Sequence, residues 1–471
     1  MHAHTRGSFW PLTLLVALLA LAATAISAHG QSFQTIILDS PNGLDNGEGT
    51  GISRDGVVAG YGWENGDTTP RVGLRWSPAF NYPGEAVQMD GSLTSVVFYG
   101  ISPDTDLPFG AAVGADTGNA IHAVQVDNIF ELITQLGVFH GEWTDKNPPS
   151  SSDSYMLGGS PRFRVGHAIP SSASAPRARL WDLQTGTIYD LHPSNFTTSA
   201  GSAIIEDGQL FHIAGWGVRQ GRDRALRWSY DSIGIPSTDL HPAGYDSSRA
   251  YGISSRWTVG TGSPANSGSQ LALSFDTSGN GMATSLDPSW SSYSVALGAS
   301  EGGIVGYSGS SIYGRRAVYW SDDDPSLAVD LHQFLPPGYI ASYAAGINDA
   351  KFIVGTAIDT GGELHAVIWR PVSQFSLMFR PGFLRYGQIA TATLELDKPA
   401  PKGGIRIRLS PLVGAGAHAW ALQEEVLIPE GKTSVTFNVA TTDRRPSKPV
   451  RATITAAWGK LVRQATLTIN P

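Results

Sequence analysis

The sequence predicts an all-β protein: a seven-bladed β-propeller whose last blade is closed by an N-terminal strand, followed by an immunoglobulin-like β-sandwich. Three observations predict it. A unit of roughly fifty residues recurs seven times between about 31 and 371, each unit divides into four short apolar segments separated by turn residues, and the period stops near Gln374.

The composition sets the class. Charged residues are 15% of the chain while Gly (55) and Pro (29) abound, a balance for short strands and tight turns rather than long amphipathic helices. At 471 residues the chain exceeds one ordinary core unless repeats share a continuous one. The net charge is −8, and the first 28 residues carry only Arg6 among acids and bases, so a chain cut after them stands at about −9. That charge argues against nucleic acid as a partner.

The N-terminus has Arg6, an apolar run from Leu12 to Ala25, and the small-residue exit Ile26-Ser27-Ala28. This is the layout of a secretory signal peptide over 1–28, cut after Ala28. The alternative, an uncleaved anchor, meets a run shorter than the ~20 residues of a spanning helix. No second apolar run follows, so the expectation is a secreted or extracellular protein with no membrane span after cleavage. With no cysteine, disulfides and thiolate metal sites are excluded.

The clearest mark of the repeat is a small residue and a glycine closing an apolar run: Ala59-Gly60, Val113-Gly114, Val165-Gly166, Ala214-Gly215, Val259-Gly260, Val305-Gly306 and Val354-Gly355. A second mark follows: Trp76, Val126, Trp181, Trp228, Phe275, Trp320 and Trp369, each ending a segment of alternating apolar residues. A third precedes the first, as in Gly51-Ile52-Ser53, Gly100-Ile101-Ser102, Gly252-Ile253-Ser254 and Gly346-Ile347-Asn348, and leads into hairpin turns such as Asp55-Gly56. A fourth is Asp190-Leu191, Asp239-Leu240, Leu286-Asp287 and Asp330-Leu331. Each unit thus reads as a four-stranded meander with two apolar faces, which must pack on its neighbours. The last unit lacks its fourth mark, while Phe33 to Asp39 is a strand with a terminal Asp and no unit before it. That strand is expected to complete the seventh blade.

With these marks in place, the Gly-Ile-Ser opening, the Val-Gly close, and His122-Ala123-Val124 and His365-Ala366-Val367 resemble the extracellular HAF repeat of exported bacterial proteins over about residues 48 to 370. The resemblance implies export and a propeller-like repeat, and names no activity.

From 374 to 471 the pattern changes. Ala390 to Leu396, Gly404 to Leu409, Glu425 to Ile428, Thr433 to Val439, Ala452 to Ala456 and Gln464 to Ile469 alternate apolar and polar residues, as an immunoglobulin-like sandwich does. The Gly403-Gly404-Ile405 opening, the turn from Ile428 to Gly431 and the closing Ala-Thr-Leu-Thr-Ile resemble the Ig-like accessory domains of bacterial secreted proteins, which implies a spacer or adhesive module.

His192, His241 and His332 occupy equivalent places after the fourth mark and are the candidate ligand-binding residues, because equivalent loops of a propeller open on one face. Repetition of a capping residue is the favoured reading of them, since equivalent positions on separate blades lie far apart for sharing one ion. The recurrent Trp set reads as packing between units. The non-repeating Trp63, Trp143, Trp216, Trp257 and Trp290 are the candidates for an exposed aromatic surface. Ser274 to Gly279 partly resembles an Asp-box turn but reads as a structural Asp turn, and Asp322-Asp323-Asp324, a run that could hold calcium, reads as a solvated turn. No nucleophile elbow, HExxH, phosphate loop or EF-hand is present, so no catalytic residue, metal site or cofactor is assigned. The expected function is binding, with an extracellular glycan or protein as partner. The alternative is a polysaccharide-active lyase or hydrolase working in the propeller channel.

Overall fold

The structure is a computed structural model that describes residues 32–471 except 42–43, 66–69, 78–83, 90–92, 134–137, 208–209, 231–233, 311–313, 323, 373–374, 380–381, 397–398, 402, 411–417 and 459–460. The signal peptide expected at 1–28 and Asp323 lie outside the described residues. The described chain is all-β and divides into two compact units, Phe33–Arg370 and Pro371–Pro471.

In the first, each sequence repeat forms an antiparallel meander. Unit three consists of Ser151–Gly159, Phe163–Pro170, Arg177–Asp182 and Ile188–Asp190, hydrogen-bonded in chain order. Units four, five and six, with first strands Thr198–Asp207, Tyr245–Ile253 and Tyr293–Ser300, repeat that order. Units one and two begin at Asn46–Ile52 and Leu93–Ile101 and share one sheet, because their fourth strands, Gly84–Met89 and Val138–Asp145, pair in parallel. Unit seven supplies Tyr339–Ile347, Ile353–Asp359 and Leu364–Val372, and the N-terminal strand Ser32–Ile37 adds beside the last of these.

Because every sheet is apolar on both faces, cores form between units rather than within them. Phe163, Val165 and Leu180 of unit three share a core with Phe211, Ile213 and Trp228 of unit four. Leu38 beside the N-terminal strand shares one with Val58 and Trp76 of unit one and Val354 and Ile368 of unit seven. First strands contact first strands from unit one to unit seven, and Tyr339–Ile347 contacts Asn46–Ile52 in turn. The region is propeller-like.

The glycine marks follow from these contacts. A Cβ on Gly60, Gly166, Gly215, Gly260, Gly306 or Gly355 would strike a carbonyl oxygen of the neighbouring first strand. In unit two the residue so placed is Gly110, four positions before the Gly114 that the period selects, because that second strand carries glycine at both ends. The later glycines keep first strands close: a Cβ on Gly252 would lie 2.9 Å from the Ala299 nitrogen, and one on Gly346 would lie 3.8 Å from the Gly51 Cα.

The second compact unit is a two-sheet sandwich. One sheet orders Phe375–Phe379, Ile389–Leu396, Ser434–Thr441 and Ala419–Ala421. The other orders Phe383–Arg385, Leu461–Asn470, Val450–Trp458, Ile405–Ser410 and Glu425–Ile428. Alternation buries Ala390, Ala392, Leu394 and Leu396 from one sheet and Ile405, Ile407 and Leu409 from the other in one core.

Candidate functional site

The first strand of every unit carries a β-bulge at the same register, for example between Gly49 and Gly51, Phe98 and Gly100, Ala250 and Gly252, and Ala344 and Gly346. A bulge re-aims side chains. Around it, positions alternate between buried and half-buried residues, as in Leu93–Ile101 and Tyr245–Ile253. The half-buried positions hold Glu48, Tyr99, Tyr155, Arg249, Tyr251 and Tyr343, and the second strands add Tyr61, His167, Trp216 and Tyr307.

These side chains form a belt that passes from unit to unit. Tyr343 donates its hydroxyl to Glu48 Oε2 at 2.6 Å across the boundary between units seven and one. Glu48 also meets the Tyr61 hydroxyl, and Tyr61 stacks on Trp63, whose ring lies 4.0 Å beneath the Arg71 guanidinium. Tyr99 and Tyr155 lie 6.4 Å apart across units two and three, and Tyr155 stacks on His167 at 4.8 Å. On the other arc, Arg315 lies 4.7 Å over the Tyr343 ring and 5.6 Å over that of Tyr307. Arg249 lies 4.0 Å over Trp216 and is held by Asp223 at 2.7 Å. In unit four the first-strand residue paired with Trp216 is Ala200, which is buried, so the run of aromatic side chains is interrupted there.

Burial, and then the Glu48 carboxylate, push the pKa of Tyr61 and Tyr343 up, and burial is the leading cause of the same upward shift at Tyr99 and Tyr155. All four hydroxyls therefore stay protonated and remain donors. Burial pushes His167 down to about 4, so it is neutral at physiological pH. The belt thus offers aromatic faces, hydroxyl donors and cations over rings, while its acids are engaged by Tyr343 and Arg249.

His192, His241 and His332 stand elsewhere. Asp190, Asp239 and Asp330 accept their main-chain N–H groups, and their Nδ1 atoms meet Ser199, Ser248 and Ser342 of the following unit at 2.7, 2.8 and 2.9 Å. Each serine oxygen in turn accepts an N–H from the preceding unit's third strand, that of Ala178, Ala225 or Ala317. The equivalent junctions use Asn147 with Ser154 and Asp287 with Ser294. A position that works equally as His, Asn or Asp supplies a hydrogen-bond acceptor for a buried serine hydroxyl. Burial, and then Arg177, Arg224 or Arg316, hold these imidazoles below their usual pKa. Among the described residues, no hydrogen bond joins any two of the three.

The recurrent tryptophans lie at the same junctions. Trp76, Trp181, Trp228, Trp320 and Trp369 are fully buried, and each donates its indole N–H to a connector carbonyl, those of Asp39, Lys146, Leu191, Leu286 and Leu331. Of the five non-repeating tryptophans all are half-buried, and Trp63 and Trp216 belong to the belt. Asp276 accepts the N–H and hydroxyl of Ser278 in a local turn, and Asp322 pairs with Lys351 at 2.5 Å. Asp359, Glu363 and His365 bring ligand-type atoms within 4.8 Å of one another, but Asp359 caps Gly361 and Glu363, and Glu363 takes an amide proton from Asn65.

Sequence reasoning missed the belt's tyrosines. The signal was present as Tyr99-Gly100, Tyr251-Gly252, Gly60-Tyr61 and Gly306-Tyr307, tyrosines beside the very glycines that mark the repeat.

No protein-family model matches the chain, and no curated protein does. Among solved structures it is similar to one reported in work on two prolyl endopeptidases, with a TM-score of 0.40, 12% identity, and coverage of 76% of this chain and 55% of that chain. The chain spans about half the length of that protein, and at this score the likeness carries no argument about site or activity.

Proposed function

We propose that the chain is a secreted or cell-surface binding protein: a closed ring of seven HAF-type blades that presents the tyrosine belt to an extracellular ligand, with an Ig-like sandwich as spacer. The signal peptide expected at 1–28 supports export. The addition of Ser32–Ile37 to the sheet of unit seven supports closure by strand exchange, as does the return of first-strand contacts from unit seven to unit one.

The observation that carries the binding role is the belt itself. Half-buried aromatic residues recur on the first and second strands of most units, where packing alone would favour aliphatic side chains, and several meet across unit boundaries. Binding is favoured over polysaccharide cleavage because Glu48 is engaged by two tyrosines and Asp223 by Arg249, leaving no free pair of belt acids among the described residues for acid–base work. A glycan and protein array read beside a reducing-sugar assay tests this. Saturable binding without turnover, lost in Tyr343→Ala, supports it; reducing ends released at a steady rate would replace it with the enzymatic reading.

A further inference from the structure

We propose a second site, independent of the belt: a cleft between units three and four that binds a neutral saccharide, with one sugar ring stacked on Tyr230. The cleft encloses about 670 Å3, within the range of small-molecule sites. Its floor is Phe163 against Phe211, ring centroids 4.8 Å apart. Tyr230 stacks on the Phe211 ring at 5.1 Å with 21° between planes, so one face is backed by protein and the ring is 38% accessible. Of the five exposed large apolar side chains described in the repeat region, three, Tyr189, Leu210 and Tyr230, line this one cleft.

Polar groups stand beside that aromatic platform. Asp182, buried in the wall, grips Arg162 through Nε at 2.9 Å and through a terminal nitrogen, which leaves the other terminal nitrogen as a donor. Glu206 accepts the Arg162 main-chain N–H and the Ser160 hydroxyl through Oε1, which leaves Oε2 as an acceptor. A fixed donor and a fixed acceptor next to a flat aromatic ring match adjacent hydroxyls and the C–H face of a pyranose. One lining cation, Arg162, against three carboxylates, Asp182, Asp190 and Glu206, disfavours an acidic sugar. An apolar peptide would need the floor, and Phe163 and Phe211 are already 7% and 5% accessible.

The test is calorimetric titration of the full chain with cellohexaose, mannohexaose and laminarihexaose, and with hexagalacturonate as the charged counterpart. At least one neutral hexasaccharide is expected to saturate. Tyr230→Ala should weaken it about tenfold, the weight of one aromatic contact, and Tyr230→Phe should stay within about twofold. Tyr189→Ala, on the outer strand of unit three, is the second variant and should weaken it in the same direction, with thermal melts showing both variants folded. Met282→Ala, an exposed side chain of unit five outside the cleft, should leave this binding unchanged, which ties the effect to the cleft. No saturation by any of the three, tighter binding of hexagalacturonate, or unaltered binding by folded Tyr230→Ala and Tyr189→Ala would each overturn the proposal.

Discussion

In the sandwich, Ile389–Leu396 and Ile405–Ser410 alternate exposed and buried residues, and every buried side chain enters one shared core. In the repeat region no unit owns a core, and neighbours are instead fixed by polar groups set into the junctions: an indole N–H aimed at a connector carbonyl, and a serine hydroxyl bridging a connector side chain to a strand amide. The difference shows what repetition requires. Apolar faces of similar units would pack in many registers, whereas a buried hydrogen bond is satisfied in only one. A sandwich of unlike strands has less need of such devices.

That contrast can be broken or sharpened by unfolding measurements. The largest effect belongs to Trp320→Ala, which removes a fully buried ring and orphans the Leu286 carbonyl; a loss of about 3–5 kcal/mol is expected in the repeat-region transition alone. Leu394→Ala should cost about 2–5 kcal/mol in the sandwich transition, with the repeat transition unmoved. Equal shifts of both transitions by either substitution would erase the distinction. Ser342→Ala, which leaves the Ala317 amide without its partner, should cost about 1–2 kcal/mol and again spare the sandwich.

A separate effect comes from pH. The folded value of His167, about 4, lies below its ordinary 6.5, so the folded state binds fewer protons than the unfolded one between those values. Stability is fully present above pH 6.5 and falls as pH drops toward 4, by on the order of 3 kcal/mol for this residue. His192, His241 and His332 act in the same direction. Denaturant titrations from pH 7 to 4 should show the decline, and His167→Gln should flatten part of it; a slope identical in that variant would remove His167 as its source.

The repeat was legible because its marks are geometric necessities: Gly60 and Gly355 touch carbonyls, and Trp228 and Trp369 fill junctions. Unit two was read out of register because Gly110 and Gly114 share a strand and Val126 stands where a junction Trp is usual. Its fourth strand carried no visible mark, since Lys146 follows Asp145 where other units place Leu, although the Lys146 carbonyl still receives the Trp181 indole. The short sandwich strands Phe383–Arg385 and Ala419–Ala421 are too brief for periodicity to register. The belt and the cleft were invisible for another reason. Each is assembled from residues on different units, and sequence spacing cannot say that Tyr343 reaches Glu48, or that Tyr230 lies on Phe211 beside Arg162.

The N-terminal strand joins unit seven, Leu38 donating to Ala366 and the Asp39 carbonyl receiving the Trp76 indole, and the proposed ring depends on that strand for its closure. Thermal unfolding of a chain lacking residues 33–39 tests it most directly. The account predicts that the repeat-region transition falls steeply or is lost, while the sandwich transition stays in place. A repeat-region transition at its original temperature would contradict it.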